Sequence, residues 1–299
     1  MTGVLDGRAA IITGGSQGLG LEIARTYLAA GARVLVCARD ATALERARIE
    51  LESAAHGASI ETVAADVSEP AEVRALVAHA LDRFSRVDVL VNNAGVYGRK
   101  GPIEDVDWDD WGHAIRVNLL GSVLCCRAVL PHFRGNGYGK IIQLSGGGAT
   151  SPLPRLSAYA ASKAAVVRFA ETLAEEVRGT GIDVNAIAPG ALNTRLLDEV
   201  LEAGPERVGD AFYKRALEQR SAGGTPLDLP ARLALFLASA ESDGITGKLI
   251  SAAWDPWEEF PSHAEDLRGT DVYTLRRIVP PERGLSWGWP IGKRSRARE

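Results

Sequence analysis

Short, almost uninterrupted apolar runs alternate with longer stretches in which apolar residues recur every three or four positions. The runs at 9–13, 33–39, 59–64, 87–91, 140–145, 182–187 and 247–251 predict strands. Helical periodicity predicts helices over 21–30, 41–55, 70–84, 110–133, 164–177, 196–221 and 230–238, and Pro70 stands in a first turn, where proline is tolerated. Strands that alternate with helices imply parallel pairing with right-handed crossovers. Continuous rather than alternating apolar strands fit a sheet covered on both faces. The expected fold class is therefore α/β, a doubly wound parallel sheet in one domain over 1–252, with 253–299 as a C-terminal extension rather than an independent domain.

The chain has 299 residues, 46% of them hydrophobic and 24% charged, which gives ample core. It shows no internal repeat, low-complexity segment or linker. A net charge of −4 gives no electrostatic case for nucleic acid or an anionic membrane. Only 293–298 is basic, and a solvated terminus is the simplest account of it. The start lacks the regions of a signal peptide, and no apolar run reaches a spanning length of about 18 residues. Cys37, Cys125 and Cys126 describe neither a disulfide framework nor a zinc site. The five histidines have no metal-ligand spacing, so no metal is expected. Free thiols fit a reducing cytoplasm, the expected location.

Chemistry enters at the ends of the strands. The first strand runs into Gly14, Ser16, Gln17, Gly18, Leu19 and Gly20 ahead of a helix, the order needed by a phosphate-binding corner. This glycine spacing is not GxGxxG, and a simple connecting loop is the alternative. At the end of the second strand Arg39 stands where a cation would meet the extra phosphate of NADP, although it could instead stack on adenine and leave NAD as cofactor. Asn118 lies in mid-helix, where asparagine is a poor fit, and signals either a packing kink or a functional hydrogen bond. Tyr159 and Lys163, four apart, share a helix face. An ammonium near a phenol lowers its pKa from about 10 and suits it to acid/base work.

Together these motifs resemble the short-chain dehydrogenase/reductase family, in its form with a single Rossmann domain. The matching features are Thr13-Gly14 to Gly18-Leu19-Gly20, Asp66, Asn92-Asn93-Ala94-Gly95, Asn118, Tyr159 with Lys163, and Pro189-Gly190 with Thr194. The resemblance implies that Tyr159 is the acid/base, that Lys163 binds the nicotinamide ribose and lowers the Tyr159 pKa, and that Asn118 supports a water-mediated proton relay. It further implies that Asn92, Ala94 and Gly95 border the cofactor. Asp66 and Val67 would lie at its adenine, and Pro189, Gly190 and Thr194 at its nicotinamide end. Residues 196–221 then resemble a lid over the substrate.

The family's catalytic serine usually precedes the tyrosine by 13 residues, and that position holds Gly146. Ser145 is one residue early, where an unbroken pleat turns its side chain away. Either Ser145 is brought inward, or another group, such as a substrate hydroxyl or a water, holds the substrate oxygen. The expected activity is NADP-linked interconversion of a secondary alcohol and a ketone, on a small-molecule substrate of polyhydroxylated or sugar-like type. Redox epimerisation through a transient ketone and a nucleotide-binding protein with decayed catalysis are the alternatives. The family resemblance implies a homodimer or homotetramer. The extension, rich in tryptophan and arginine, could close the site, form a subunit contact or pack on its own domain, and Arg276 and Arg277 could meet an anionic substrate group.

Overall fold

The computed structural model describes residues 3–54 and 59–286. His56, Trp287, Trp289 and the basic run at 293–298 lie outside the described residues. Seven strands, β1 Ala9–Thr13, β2 Arg33–Ala38, β3 Ile60–Ala64, β4 Val89–Asn92, β5 Gly139–Leu144, β6 Ile182–Ala188 and β7 Leu249–Ser251, form one parallel sheet. Its order is β3-β2-β1-β4-β5-β6-β7. The doubly wound α/β architecture expected from the alternation is the one found.

Successive residues on the central strands feed opposite faces. Ile12, Val34, Val91, Ile142 and Ile187 pack with α1 (Gly18–Ala29) and α9 (Asp228–Ala238). Their neighbours Ile11, Leu35, Leu90, Ile141 and Val184 pack against α3 (Pro70–Phe84), α5 (Gly121–Asn136) and α6 (Ser157–Glu176). Both faces are thus covered, which explains the continuous apolar runs. The chain winds outward in one direction through β2 and β3 and in the other from β4 to β7, so a crevice opens where β1 and β4 end side by side. α2 (Ala41–Ala54) follows β2, and its start is capped by Asp40, which accepts from the N–H groups of Thr42 and Ala43.

Two helices depart from the sequence reading. The helix expected over 110–133 is α4 (Trp108–Ile115), a wide π-type stretch at Arg116–Leu120 and then α5, and Asn118 lies inside the wide stretch. Trp108–Asn136 as a whole is long and apolar enough to cross a membrane by length and composition, contrary to expectation. It nevertheless serves as a core helix, with Val117, Cys125, Cys126, Val129 and Phe133 buried against the sheet. The helix expected over 196–221 is two, α7 (Arg195–Val208) and α8 (Asp210–Ala222). Gly204, at φ 75°, breaks the ladder just before Pro205, and Gly209 separates the two helices. All three cysteines are buried and free, and burial pushes the thiols of Cys37 and Cys126 up to about 12.

After β7 the extension folds back on its own domain. Trp257 is buried against Phe236 of α9, and Phe260 packs on Tyr273 beyond the short helix α10 (Ala264–Gly269). The Leu249 amide donates to the Tyr273 carbonyl at 2.7 Å. Lys248 Nζ donates to the carbonyls of Thr270 and Val272, and the Leu275 amide donates to Glu171 at 2.6 Å. Arg276 is spent on Glu282 and Asp271, while Trp254 stands exposed.

Candidate active site

The crevice is a cleft of about 1170 Å³ bordered by the ends of β1, β2, β4 and β5, by α6 and by α7 and α8. At the first corner Gly14 and Gly18 take positive φ. A Cβ on Gly14 would lie 2.7 Å from Ala94 Cα, and one on Gly20 2.4 Å from Asn93 Nδ2, so the corner and the β4 loop approach too closely for side chains. Asn93 fixes that approach: its Nδ2 donates to the carbonyls of Thr13 and Gly14, and its N–H donates to Thr13 Oγ1. α1 begins without a side-chain cap and without an acidic residue in its first turn. Its first N–H groups therefore remain for an anion such as a pyrophosphate.

At the β2 end the cleft is lined by Arg39, Asp40, Arg46, Asp66 and Val67. Arg39 lies 3.8 Å from Asp66 and is more than half exposed. Partial burial works against the Asp66 carboxylate, but two hydrogen bonds from Ser68 and the Arg39 charge outweigh it and hold its pKa below the ordinary value. Arg46 of α2 is a second guanidinium at this end, not expected from the strand-end position alone.

At the other end Tyr159 and Lys163 project from successive turns of α6, both buried. Lys163 Nζ donates to the Leu144 carbonyl at 2.7 Å and lies 5.7 Å from the Tyr159 ring centre. A Cβ on Gly95 would fall 3.4 Å from Asn118 Oδ1 and 3.5 Å from Lys163 Nζ, which places these two polar ends on either side of one glycine. Asn118 Oδ1 accepts from the Val96 amide, and its Nδ2 donates to the Val96 carbonyl and to Ser162 Oγ. The wide turn holds the Asn118 amide that ties the β4 loop to α6. Within the chain, burial is the leading influence on both partners: it raises the phenol of Tyr159 and brings Lys163 down to about 8. The expected lowering of the Tyr159 pKa by Lys163 is therefore not what the protein's own residues produce.

Ser145 is 4% exposed, and its Oγ has no hydrogen-bond partner among the described residues although it borders the same cleft. Over the tyrosine, Tyr97 stands edge-on at 4.5 Å between ring centres and packs against the apolar cluster of Leu197, Val200, Val208 and Ala216 of α7 and α8. Burial pushes the Tyr97 phenol up to about 12, with the Glu199 charge adding to it. Glu199 meets Lys100 at 3.1 Å, and Arg155 donates to the Glu206 carbonyl, so two contacts tie α7 to the loops beneath it.

Of the residues expected at the site, Gly14, Ser16, Gln17, Gly18, Leu19, Arg39, Asp66, Val67, Ala94, Gly95, Ser145, Tyr159, Lys163, Pro189 and Thr194 border the cleft. Gly20 and Gly190 shape its corners from behind: a Cβ on Gly190 would meet Thr225 Oγ1 at 2.5 Å. Asn92 does not border it. Its side chain is turned by the pleat toward α5, donating to Cys126 Sγ and the Ser122 carbonyl, while the neighbouring Asn93 takes the cleft side. Asn193, Arg195, Asp198 and Arg220 also border the cleft, and Asp198 and Arg220 belong to the stretch expected to cover the substrate. No described residue of the extension reaches it.

The chain is similar to known proteins over most of its length. The short chain dehydrogenase family model matches residues 8–204. The (2S)-[(R)-hydroxy(phenyl)methyl]succinyl-CoA dehydrogenase subunit BbsD of Thauera aromatica is 34% identical over 251 residues, covering 82% of this chain and 95% of that protein. The 2-dehydro-3-deoxy-L-rhamnonate dehydrogenase (NAD(+)) of a Sphingomonas species is 35% identical over 194 residues, 65% of this chain and 76% of that protein. The crystal structure of an actinorhodin polyketide ketoreductase with NADPH superposes with a TM-score of 0.76, with 30% identity over 84% of this chain and 97% of that one. With the parallel sheet, the cleft and the family match in agreement, the chain belongs to the short-chain dehydrogenase/reductase family of oxidoreductases.

Proposed function

We propose that this oxidoreductase interconverts a secondary alcohol and a ketone, with Tyr159 passing the proton at the substrate oxygen. The observation that carries this reading is the convergence of Tyr159 and Lys163, with Asn118 tying the tyrosine helix to the β4 loop behind them, in a cleft that also takes in the uncapped start of α1. The residues fit a nicotinamide dinucleotide: Gly14 to Leu19 suit its pyrophosphate, Asp66 and Val67 its adenine, and Thr194 with Pro189 its nicotinamide end. When bound, the cofactor supplies or accepts the hydride.

The chain's own groups do the rest. Lys163, held by the Leu144 carbonyl, presents its remaining N–H donors toward the cleft. A positive charge brought beside Tyr159 opposes the effect of burial and favours phenolate, the form that accepts a proton from an alcohol. Ser145 Oγ, buried and without a partner, is the side-chain donor assigned to the substrate oxygen. Tyr97, α7 and α8 exclude water above the tyrosine.

Arg39 and Arg46 at the β2 end support NADP over NAD, because two guanidiniums suit a phosphate monoester. A polyhydroxylated or sugar-like substrate fits the polar side chains of Asn193, Asp198 and Arg220 that border the cleft, and the sugar-acid relative is consistent with it. Assays with NADP and NAD over ketones, sugar acids and polyols test the proposal. Nucleotide-linked turnover that disappears in Tyr159→Phe supports it, and turnover retained in that variant overturns it.

A further inference from the structure

The glycine at 146 is not explained by backbone freedom. Its φ is not in the left-handed region, in contrast to Gly148 at φ 93°, so an ordinary residue could adopt the same backbone. What excludes a side chain is Tyr159. A Cβ built on Gly146 lies 2.2 Å from Tyr159 Oη and 3.2 Å from Cζ, and the three nearest atoms all belong to that ring. Nothing stands within 4 Å of a Cβ on Gly147, and one on Gly148 would meet Ala160 at 2.7 Å instead, so within the run only position 146 meets the tyrosine.

The ring has little room to give way. Tyr159 is 7% exposed, is faced by Tyr97 at 4.5 Å and has Lys163 below it. A phenol moves as one rigid body about two torsions, so a shift of its oxygen by the ångström or so that a Cβ demands is a shift of the reacting atom.

We infer that Gly146 is a positioning residue for Tyr159: the space left by its missing side chain is where the phenol hydroxyl rests. The position that usually carries a serine in this family is therefore filled here by the tyrosine's own oxygen, and the glycine is a requirement of this site rather than a lost donor. The catalytic consequence rests on the acid/base reading of Tyr159, whereas the steric coupling between 146 and 159 does not.

The test places Gly146→Ala and Gly146→Ser in the native and in the Tyr159→Phe background, with Gly147→Ala as control. Thermal unfolding of the full chain should fall by about 5 °C for Gly146→Ala in the native background. It should fall by much less where the hydroxyl has been removed, and Gly147→Ala should leave it unchanged. If Gly146→Ala does not fold in the native background, recovery of a folded protein in the Tyr159→Phe background gives the same answer. Equal losses in both backgrounds, or failure to fold in both, overturn the inference.

In steady-state assays both substitutions at 146 should lower kcat by about 100-fold with nucleotide affinity retained and the pH profile of kcat displaced, as expected for a misplaced proton carrier. A Gly146→Ser enzyme faster than the native one, with Gly146→Ala neutral, would show an empty serine site and overturn the inference. Should Tyr159→Phe itself remain active, the acid/base reading falls while the thermal comparison still decides the coupling.

Discussion

Asn118 and Ser162 are joined at 2.9 Å through the Asn118 side-chain amide, which at the same time holds both backbone polar groups of Val96. Ser162 Oγ in turn donates to the Tyr159 carbonyl at 2.7 Å. The β4 loop, the wide turn of the long helix and the tyrosine helix therefore share one side chain. Asn118→Ala should cost more stability than Ser162→Ala, which leaves both Val96 bonds in place. Each buried bond lost is worth about 1–3 kcal/mol when its partner is stranded. Equal effects in chemical denaturation would show that the Val96 contacts contribute nothing.

Tyr159→Phe removes one oxygen from a ring that stays packed against Tyr97. Turnover should fall by at least about 100-fold, the scale of general acid/base catalysis, while nucleotide titration followed by fluorescence remains unchanged. Loss of nucleotide binding together with activity would instead give the phenol a structural role.

Lys163 is brought from 10.5 down to about 8 by burial. Between those values the unfolded chain binds a proton that the folded chain does not, so stability rises with pH across that window. Below about 8 both states hold the proton and the burial penalty is fully present. Denaturation midpoints of the protein without nucleotide should therefore climb from pH 8 toward 10 more steeply than those of Lys163→Met. Parallel curves for the two proteins would refute this.

Arg39 and Arg46 bound the same end of the cleft. Arg39→Ala and Arg46→Ala should each weaken NADP binding by about tenfold or more, the worth of one charge-assisted contact, and leave NAD nearly unaffected. Equal losses for both nucleotides would show that the guanidiniums stack on adenine instead of meeting a phosphate.

Trp257→Ala removes a buried ring that anchors the extension to α9. It should destabilise the fold by about 3–5 kcal/mol. The nucleotide affinity of the folded protein should stay unchanged, because no described residue of the extension borders the cleft. Calorimetry and nucleotide titration on the same sample check both parts.

What the chain disclosed about itself depended on how local each signal was. Buried parallel strands write themselves as apolar runs, and the glycine corner and the Tyr159–Lys163 spacing lie within one or two turns. The division of Asn92 from Asn93 needed only the pleat and was missed, as was the Gly204-Pro205 break, an ordinary helix-stopping pair. The wide turn at Asn118 could not be read, because it is set by partners on β4's loop and α6. Neither could the influence of burial on Tyr159, which depends on Tyr97 and on helices far along the chain.

The bond from the Leu249 amide to the Tyr273 carbonyl has a consequence for the sheet as a whole. β7 is the terminal strand, and a terminal strand normally offers a row of open donors and acceptors to any other chain. Here Tyr273 takes the Leu249 donor from within the molecule, Asp255 takes the Ser251 amide, and Lys248 fastens the segment at Thr270 and Val272. A neighbouring strand that paired with Leu249 on this side would first have to displace the Tyr273 carbonyl.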